Sequence, residues 1–278
     1  MTIPVEAKPA ASVLLVRPAA PGEPEPLEVW MIRRQKGMRF LGGYYAFPGG
    51  KVDLADAAPE ALARCYGLRS EDAERVMNSA GHPPHVPALA YWVTAVRELL
   101  EESGLLVACD GQGRPLDAGD PVIARAVDGA RLALMAGEAP FASLLGRQDW
   151  YADLRPFRYL SHFVTPIASP IRFSARFFLC AVPAGQSPRL YTEETSEGFW
   201  IMPGEGYRRF RAGEMAMAEP AEYGLGYLAQ FESAEHLWAA HADHRGKFDG
   251  IIDRIDTFWK DFDWARSPGR SPGPPREP

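Results

Sequence analysis

The hydrophobic pattern of the chain first predicts a series of β-strands. Short apolar runs recur along the sequence, bounded by glycine, proline or acidic residues, as is typical of strands between turns. These runs cover residues 12–17, 28–34, 44–47, 157–164, 173–182 and 198–202. A turn segment rich in proline, glycine and glutamate at 18–26 separates the first two runs.

Helical spacing characterises other stretches. The clearest lies just before Gly104, where one face of a helix carries Ala88, Trp92, Ala95, Val96 and Leu99. Further helices are predicted for residues 58–67, 70–80, 121–136, 204–212 and 232–246, with a helical turn at 141–145. This order of strands and helices is compatible with an α/β fold.

A different side of the helix before Gly104 carries carboxylates. Glu98 lies one turn from both Glu101 and Glu102. Oxygen-only clusters of this kind suit hard divalent cations, Mg²⁺ first and Mn²⁺ second. A solvated charged face is the alternative, because Arg97 can pair with Glu101 and like-charged i, i+4 pairs cost only about 0.2–0.5 kcal/mol. The helix alone leaves both interpretations open.

The segment Phe47-Pro48-Gly49-Gly50 provides the deciding context, because it ends an aromatic strand in a turn that glycine makes easily. Together the two segments resemble the signature of the Nudix hydrolases, G-x5-E-x7-R-E-U-x-E-E-x-G-U, where U is a bulky aliphatic residue. Gly50 matches the opening glycine. The closing half is matched in full by Arg97, Glu98, Leu99, Glu101, Glu102, Gly104 and Leu105.

The chain departs from this signature in two ways. Asp56 stands where the signature has its first glutamate, and 46 residues separate Gly50 from Arg97, which is 33 more than the pattern has. Such a split box resembles the branch of RP2-like, Nudix-type-19 coenzyme A diphosphatases. Segments 162–166, 172–179 and 194–203 also resemble that branch.

The resemblance implies a Nudix-type α/β/α sandwich with a mixed β-sheet and a helical insertion inside the Nudix box. We predict one Nudix hydrolase domain over residues 1–265, with the insertion at about 54–87. Residues 266–278 are low in complexity and rich in proline. They are predicted to form a disordered tail or linker, because such a segment has nothing to bury.

The resemblance also implies roles for the acidic residues. The implied ligands of Mg²⁺ or Mn²⁺ are Glu98, Glu101 and Glu102. Arg97 is expected to orient Glu101. The general base is left open between Glu98 and a glutamate of a distant loop, either Glu194 or Glu197. The predicted catalytic residues are therefore Arg97, Glu98, Glu101 and Glu197.

Other residues are candidates for contacting the substrate. Arg33, Arg34 and Arg172 have the forked donor geometry that suits phosphate oxygens, although a structural or solvated role is the alternative for each. Gly50 is expected to let the turn pass close to the helix or the metals. The two histidine pairs, at 82 and 85 and at 241 and 244, lack the further ligands that a zinc site needs.

The implied activity is Mg²⁺-dependent hydrolysis of the diphosphate linkage in a nucleoside diphosphate derivative, which is the expected small-molecule partner. The split box favours coenzyme A or acyl-CoA as the substrate. ADP-ribose, dinucleotides and nucleotide sugars are alternatives, because the Leu-Leu-Thr stretch of other CoA-cleaving branches is not evident. A non-catalytic Nudix-like ligand sensor is a further alternative, which the three retained glutamates disfavour.

Composition narrows the class of protein further. The net charge of −6 argues against a general nucleic-acid binder, which normally has a basic surplus. No apolar run approaches the 18 residues of a membrane span. The three cysteines are scattered, which fits a reducing compartment. We therefore expect a cytoplasmic protein without a membrane partner, and a homodimer is left open.

Overall fold

The predicted apolar runs form strands in the computed structural model, which describes residues 5–38, 40–81, 83–165, 167–191 and 195–242. The strands are β1 (Lys8–Pro18), β2 (Leu27–Arg34), β3 (Tyr45–Ala46), β4 (Gly49–Lys51), β5 (Cys65–Tyr66), β6 (Ala108–Cys109), β7 (Tyr151–Asp153), β8 (Phe157–Val164), β9 (Phe173–Ala181) and β10 (Thr195–Ile201). The helices are α1 (Pro59–Leu62), α2 (Ser70–Ser79), α3 (Ala88–Ser103), α4 (Pro121–Met135), α5 (Phe141–Arg147), α6 (Pro203–Arg211), α7 (Glu219–Leu228) and α8 (Ala234–Ala240).

The main sheet is mixed, as predicted. Its strands follow the order β10-β2-β1-β9-β8, with β3 paired to β2 and β4 paired to β1. The pairing of β1 with β9 is parallel, and the other pairings in this sheet are antiparallel. Among the described residues, a second sheet contains the short strands β5, β7 and β6 in that order.

A fork between β1 and β2 determines where the glycine turn lies. The two strands pair only at one end, where Val16 lies opposite Val29. Beyond that point β3 continues along β2 and β4 continues along β1. The amide of Val13 donates to the carbonyl of Pro48 at 2.8 Å. The bend between β3 and β4 is therefore held in the middle of the main sheet.

Hydrophobic cores on the two faces of the sheet give the α/β/α layering. Alternate residues of β1 point to opposite faces, as the period of a strand requires. Val13 and Leu15 pack in the core that includes α3, whereas Leu14 and Val16 pack in the core that includes α7. The first core also takes residues from α1, α2 and α5, and the second takes residues from α6 and α8.

The insertion in the Nudix box packs beside α3 but is only partly as predicted. The helix over 70–80 is confirmed as α2, which buries Ala73 and Met77 in the core around α3. The single helix over 58–67 is wrong, because α1 ends at Leu62 and β5 pairs with β7. A strand of two residues is too short to show the alternation of apolar and polar side chains. The hydrophobic pattern alone therefore could not locate β5.

The later helices also differ in part from the predictions. Helices α4, α5 and α6 confirm the segments 121–136, 141–145 and 204–212. Helix α7 was not predicted, since its sequence contains Pro220, Gly224 and Gly226. The predicted helix over 232–246 is described only as far as α8, and the tail at 266–278 lies outside the described residues. No helix in the described part of the chain has the length and apolarity needed to cross a bilayer.

Glu222 on α7 provides a prediction about pH and stability. Burial raises the pKa of Glu222 from 4.5 to about 7, with Arg211 acting in the opposite direction and Glu219 adding to the rise. Because the folded state holds this proton more tightly than the unfolded state does, stability falls as the pH rises from about 4.5 to about 7. Glu222→Gln should therefore raise the melting temperature at pH 8 and change it little at pH 4.

The control for this prediction is Glu138→Gln, which alters an exposed carboxylate. Thermal unfolding of both variants and the unmodified protein at pH 4 and pH 8 tests the effect. Equal shifts for Glu222→Gln at the two pH values would contradict it.

Candidate active site

Helix α3 carries the acidic residues and is buried on nearly every side. Glu98 and Glu102 are only 7% and 8% exposed, so they do not form an ordinary solvated face. The helix contains no internal glycine or proline and ends at Gly104, which takes the left-handed conformation with φ = 70°. A side chain on Gly104 would also collide with Tyr191. This confirms the predicted helix and its glycine end.

The glycine bend touches this helix directly. The amide of Gly49 donates to Oε2 of Glu102 at 2.7 Å. A Cβ atom placed on Gly50 would lie 2.3 Å from Oε1 of Glu98. Only glycine at position 50 lets the bend pass this close to the Glu98 carboxylate. The insertion therefore does not come between the two halves of the split box.

Arg97 connects three carboxylates beneath the bend. Its Nη1 lies 2.8 Å from Oε1 of Glu98 and 3.0 Å from Oε2 of Glu101. Its Nη2 donates to Asp56 at 3.0 Å and to the carbonyl of Lys51 at 2.9 Å. The expected contact between Arg97 and Glu101 is present, and Arg97 extends the same support to Glu98.

Asp56 is the buried anchor of this network. The carboxylate is 2% exposed and accepts hydrogen bonds from Arg97, from the hydroxyl of Thr94 at 2.8 Å and from the amide of Asp53 at 3.1 Å. The residue that departs from the signature thus faces Arg97 and the protein interior. Its contacts are those of a residue that positions Arg97.

Burial also changes the acidity of the site. It raises the pKa of Glu98 to about 7, although the charge of Arg97 opposes the shift. Burial likewise raises the pKa of Glu101, again opposed by Arg97. For Arg97 itself, burial favours the neutral form, but Glu98, Asp56 and Glu101 outweigh it and raise the pKa of the guanidinium. Arg97 therefore remains charged throughout the physiological range.

A small cleft opens above the acidic side of α3. Its lining consists of Glu98, Glu101, Glu102, Arg131, Met135, Tyr191 and Thr195. Nε of Arg131 donates to the carbonyl of Glu101 at 2.8 Å, and the guanidinium lies 3.2 Å from the centre of the Tyr191 ring. Arg131 and Tyr191 could not be predicted from the sequence, because neither belongs to a motif and only the fold brings them to α3.

The three glutamates are the candidate ligands of a metal ion. No three His, Cys, Asp or Glu side chains within the described ranges are grouped closely enough to hold an ion as they stand. Glu98 and Glu101 face Arg97, and Glu102 faces Gly49. Nevertheless, all three line one cleft, and the donors are all oxygen. This set fits a hard divalent cation in chemistry and location.

The other predicted site residues lie outside the lining of this cleft. Arg33 pairs with Glu197 at 2.6 Å, and the hydroxyl of Tyr45 donates to the same carboxylate at 3.2 Å. Arg34 donates to the carbonyl of Phe40, while Arg172 donates to backbone carbonyls, among them that of Thr165. Their assignment to phosphate binding or catalysis stays a prediction. Glu194 lies outside the described residues.

The histidines give no sign of a metal site in the part of the chain that is described. His241 is buried and hydrogen bonds through its two ring nitrogens to the Leu237 carbonyl and the Tyr227 hydroxyl, each at 2.7 Å. This is the pattern of a packed structural histidine. The residues at 82 and 244 lie outside the described ranges.

The two glycines of the bend should respond differently to alanine. A Cβ atom on Gly49 would lie 2.3 Å from the Ala11 carbonyl in the sheet, whereas one on Gly50 meets the end of the Glu98 side chain. Backbone cannot move aside cheaply, so Gly49→Ala should lower the free energy of unfolding by about 1–3 kcal/mol. Gly50→Ala should cost less and instead displace the Glu98 carboxylate.

Urea unfolding of both variants measures this difference, and equal losses of stability would contradict the assigned contacts. Gly37→Ala is a suitable control, because a Cβ atom there would meet no atom within 4 Å and Gly37 lies outside the helices and strands.

Comparisons with known proteins agree with this geometry. Residues 7–228 match the model of the family described as the NUDT19 Nudix domain. The acyl-coenzyme A diphosphatase NUDT19 of Gallus gallus is 28% identical over 273 residues, covering 84% of this chain and 71% of that protein. The Homo sapiens protein of the same name is 25% identical over 249 residues, covering 79% of this chain and 65% of that protein.

A solved structure supports the same assignment. The crystal structure of a NUDIX hydrolase from Alicyclobacillus acidocaldarius aligns with a TM-score of 0.65 at 29% identity, covering 84% of this chain and 96% of that one. The predicted α/β class and Nudix fold are thereby confirmed. The family model spans most of the chain, and helix α3 of this protein meets the glycine bend. This protein therefore belongs to the NUDT19 branch of the Nudix hydrolases.

Proposed function

We propose that this protein is a divalent-metal-dependent diphosphatase that cleaves the diphosphate linkage of a nucleoside diphosphate derivative, with coenzyme A or an acyl-CoA as the substrate. The observation that carries the proposal is the contact between the glycine bend and the glutamate helix. Gly49 binds Glu102, and Gly50 leaves room for Glu98, at the edge of one acidic cleft.

Glu98, Glu101 and Glu102 would hold Mg²⁺ or Mn²⁺ in this cleft. Bound there, a divalent ion offsets the negative charge of the diphosphate and lowers the pKa of an attacking water. The residues of the chain prepare this chemistry. Arg97 fixes the carboxylates of Glu98 and Glu101, and the Gly49 amide fixes that of Glu102.

Glu98 is also the better-supported general base. Glu98 lines the acidic cleft in which the substrate diphosphate would lie. The alternative base, Glu197, is already paired with Arg33 and accepts from Tyr45. Among the described basic residues, Arg131 is the one that lines the cleft, where its charge favours an anionic substrate.

The choice of substrate rests on the relatives. Two NUDT19 proteins that this chain resembles carry the name acyl-coenzyme A diphosphatase, at 28% and 25% identity. The split box of the sequence favours the same class. ADP-ribose, dinucleotides and nucleotide sugars share the diphosphate linkage and serve as comparison substrates.

A substrate panel tests the proposal. The purified protein is incubated with Mg²⁺ or Mn²⁺ and with CoA, acetyl-CoA, ADP-ribose, NADH or a diadenosine polyphosphate, and the products are identified by mass spectrometry. We expect CoA to yield 3′-phosphorylated AMP and a phosphorylated pantetheine. Chelation of the metal should abolish the reaction. Release of inorganic phosphate from a monoester, or activity that persists in excess chelator, would refute the proposal.

A further inference from the structure

Helix α7 packs against the glycine bend from the face of the main sheet opposite to α3. A Cβ atom placed on Gly224, in the middle of α7, would lie 2.6 Å from Cε2 of Phe47 and 3.1 Å from Cδ2 of Leu14. Phe47 begins the bend and is 4% exposed. The bend is therefore held between two helices, with α3 on one side and α7 on the other.

Gly224 provides space in α7 for the Phe47 ring. Its φ angle is not in the left-handed region, so its backbone conformation does not require glycine. Glycine inside a helix is also less favourable than alanine. The helix cannot easily retreat from the ring, because Ala221 and Leu225 are buried in the core on that face. The close contact with Phe47 explains why this position has no side chain.

The contact is directly connected to the acidic cleft. The amide of Tyr45 on β3 donates to the carbonyl of Ala216, shortly before α7, at 2.8 Å, so the strand that leads into the bend is tied to this helix. One residue separates Phe47 from Gly49, whose amide donates to Glu102 at 2.7 Å. A shift of the Phe47 ring would therefore move the amide that fixes this carboxylate.

We infer that Gly224 is a positioning residue for the acidic cleft. By leaving space for the Phe47 ring, it sets the position of the glycine bend and with it the hydrogen bond from Gly49 to Glu102. Among the residues that the structure describes, none of α7 lines the cleft, so Gly224 acts through the bend. The inference rests on the proposed function only for the role of the cleft in catalysis.

Hydrogen exchange of the Gly49 amide measures the position of the bend without metal or substrate. Labelling glycine with ¹⁵N and the proline carbonyl with ¹³C selects, in NMR spectra, the glycines that follow proline, which include Gly49 and Gly204. Both amides donate to a carboxylate oxygen at 2.7 Å. Gly204 is therefore a matched internal reference, and the ratio of the two exchange rates removes any change in global stability.

Gly224→Ala should raise the exchange rate of Gly49 relative to that of Gly204 by at least about tenfold, because the displaced bend weakens the bond to Glu102. Gly206→Ala is the matched control. Its Cβ atom would lie 3.0 Å from a methyl carbon of Leu225 and would overfill the same core without contacting the bend. This control should not raise the ratio.

A second substitution tests whether the Phe47 ring transmits the effect. Phe47→Leu removes Cε2 and Cζ, the two atoms nearest to a Cβ atom on Gly224. Alone, it leaves space between α7 and the bend and should raise the ratio. Combined with Gly224→Ala, which fills that space, it should give a lower ratio than Phe47→Leu alone. This comparison holds even where Gly224→Ala by itself fails to fold.

The outcomes separate this inference from the proposed function. An unchanged ratio in Gly224→Ala, or a double variant no better protected than Phe47→Leu, overturns the inference even when CoA is hydrolysed. A rise that the double variant reverses supports the position of the bend, whatever the substrate panel shows.

For an active enzyme, kinetics test the role of Gly224 in the cleft. Gly224→Ala should lower kcat about tenfold and change KM less than about twofold, because a misplaced carboxylate impairs the reaction more than it impairs binding. An unchanged kcat would overturn the role of Gly224 in positioning the cleft.

Discussion

Replacing Glu102 with glutamine is expected to lower kcat for CoA hydrolysis by a factor of about 10²–10³, the usual cost of losing one preorganised electrostatic group. The substitution is chosen because glutamine keeps an oxygen that can accept from the Gly49 amide, a bond of 2.7 Å in this structure. The shape of the bend should therefore be preserved while the negative charge of the carboxylate is lost.

Two measurements separate a role in metal binding from a role in folding. The free energy of unfolding of Glu102→Gln should stay close to that of the unmodified protein, and its affinity for Mn²⁺ should fall. Glu71→Gln, on an exposed position of α2, removes one carboxylate without touching the cleft and should leave both kcat and Mn²⁺ affinity unchanged. Undiminished hydrolysis by Glu102→Gln would show that the acidic cleft is not where catalysis occurs.

The parts of this site that could be predicted from sequence are local. The spacing of Glu98, Glu101 and Glu102 follows from the helical repeat, and Gly104 ends the helix through its own backbone conformation. The Phe47-Pro48-Gly49-Gly50 bend is likewise set by local turn chemistry. These features survive the long insertion, because the insertion packs beside α3 and leaves the bend against it.

The parts that could not be predicted depend on contacts between distant segments. Arg131 on α4 and Tyr191 before β10 meet over the end of α3. The pattern of residues within either segment does not indicate this contact. The fork that holds the bend requires β1 and β2 to pair at one end only. The role of Asp56 could not be predicted either, because the sequence shows only that an aspartate replaces the glutamate of the signature. Its burial is visible only when the insertion is folded onto α3.

Asp56→Asn should accordingly produce the largest loss of stability of any single change considered for this protein. Asp56 is 2% exposed and accepts hydrogen bonds from two guanidinium nitrogens of Arg97, at 3.1 and 3.0 Å. Breaking one partner from a buried ion pair typically costs about 3–5 kcal/mol. Because Arg97 keeps its contacts with Glu98 and Glu101, we expect about 3 kcal/mol, measured by urea unfolding.

Asp53→Asn is the matched control, because Asp53 is the same residue type, 45% exposed and 4.0 Å from the same guanidinium. Its effect on the free energy of unfolding should stay within about 0.5 kcal/mol. Equal stability of the two variants would mean that Asp56 does not anchor Arg97. Asp56→Glu restores the glutamate of the family signature. If Asp56→Glu is more stable than Asp56→Asn, the charge of this side chain, rather than its size, holds Arg97 beneath the glycine bend.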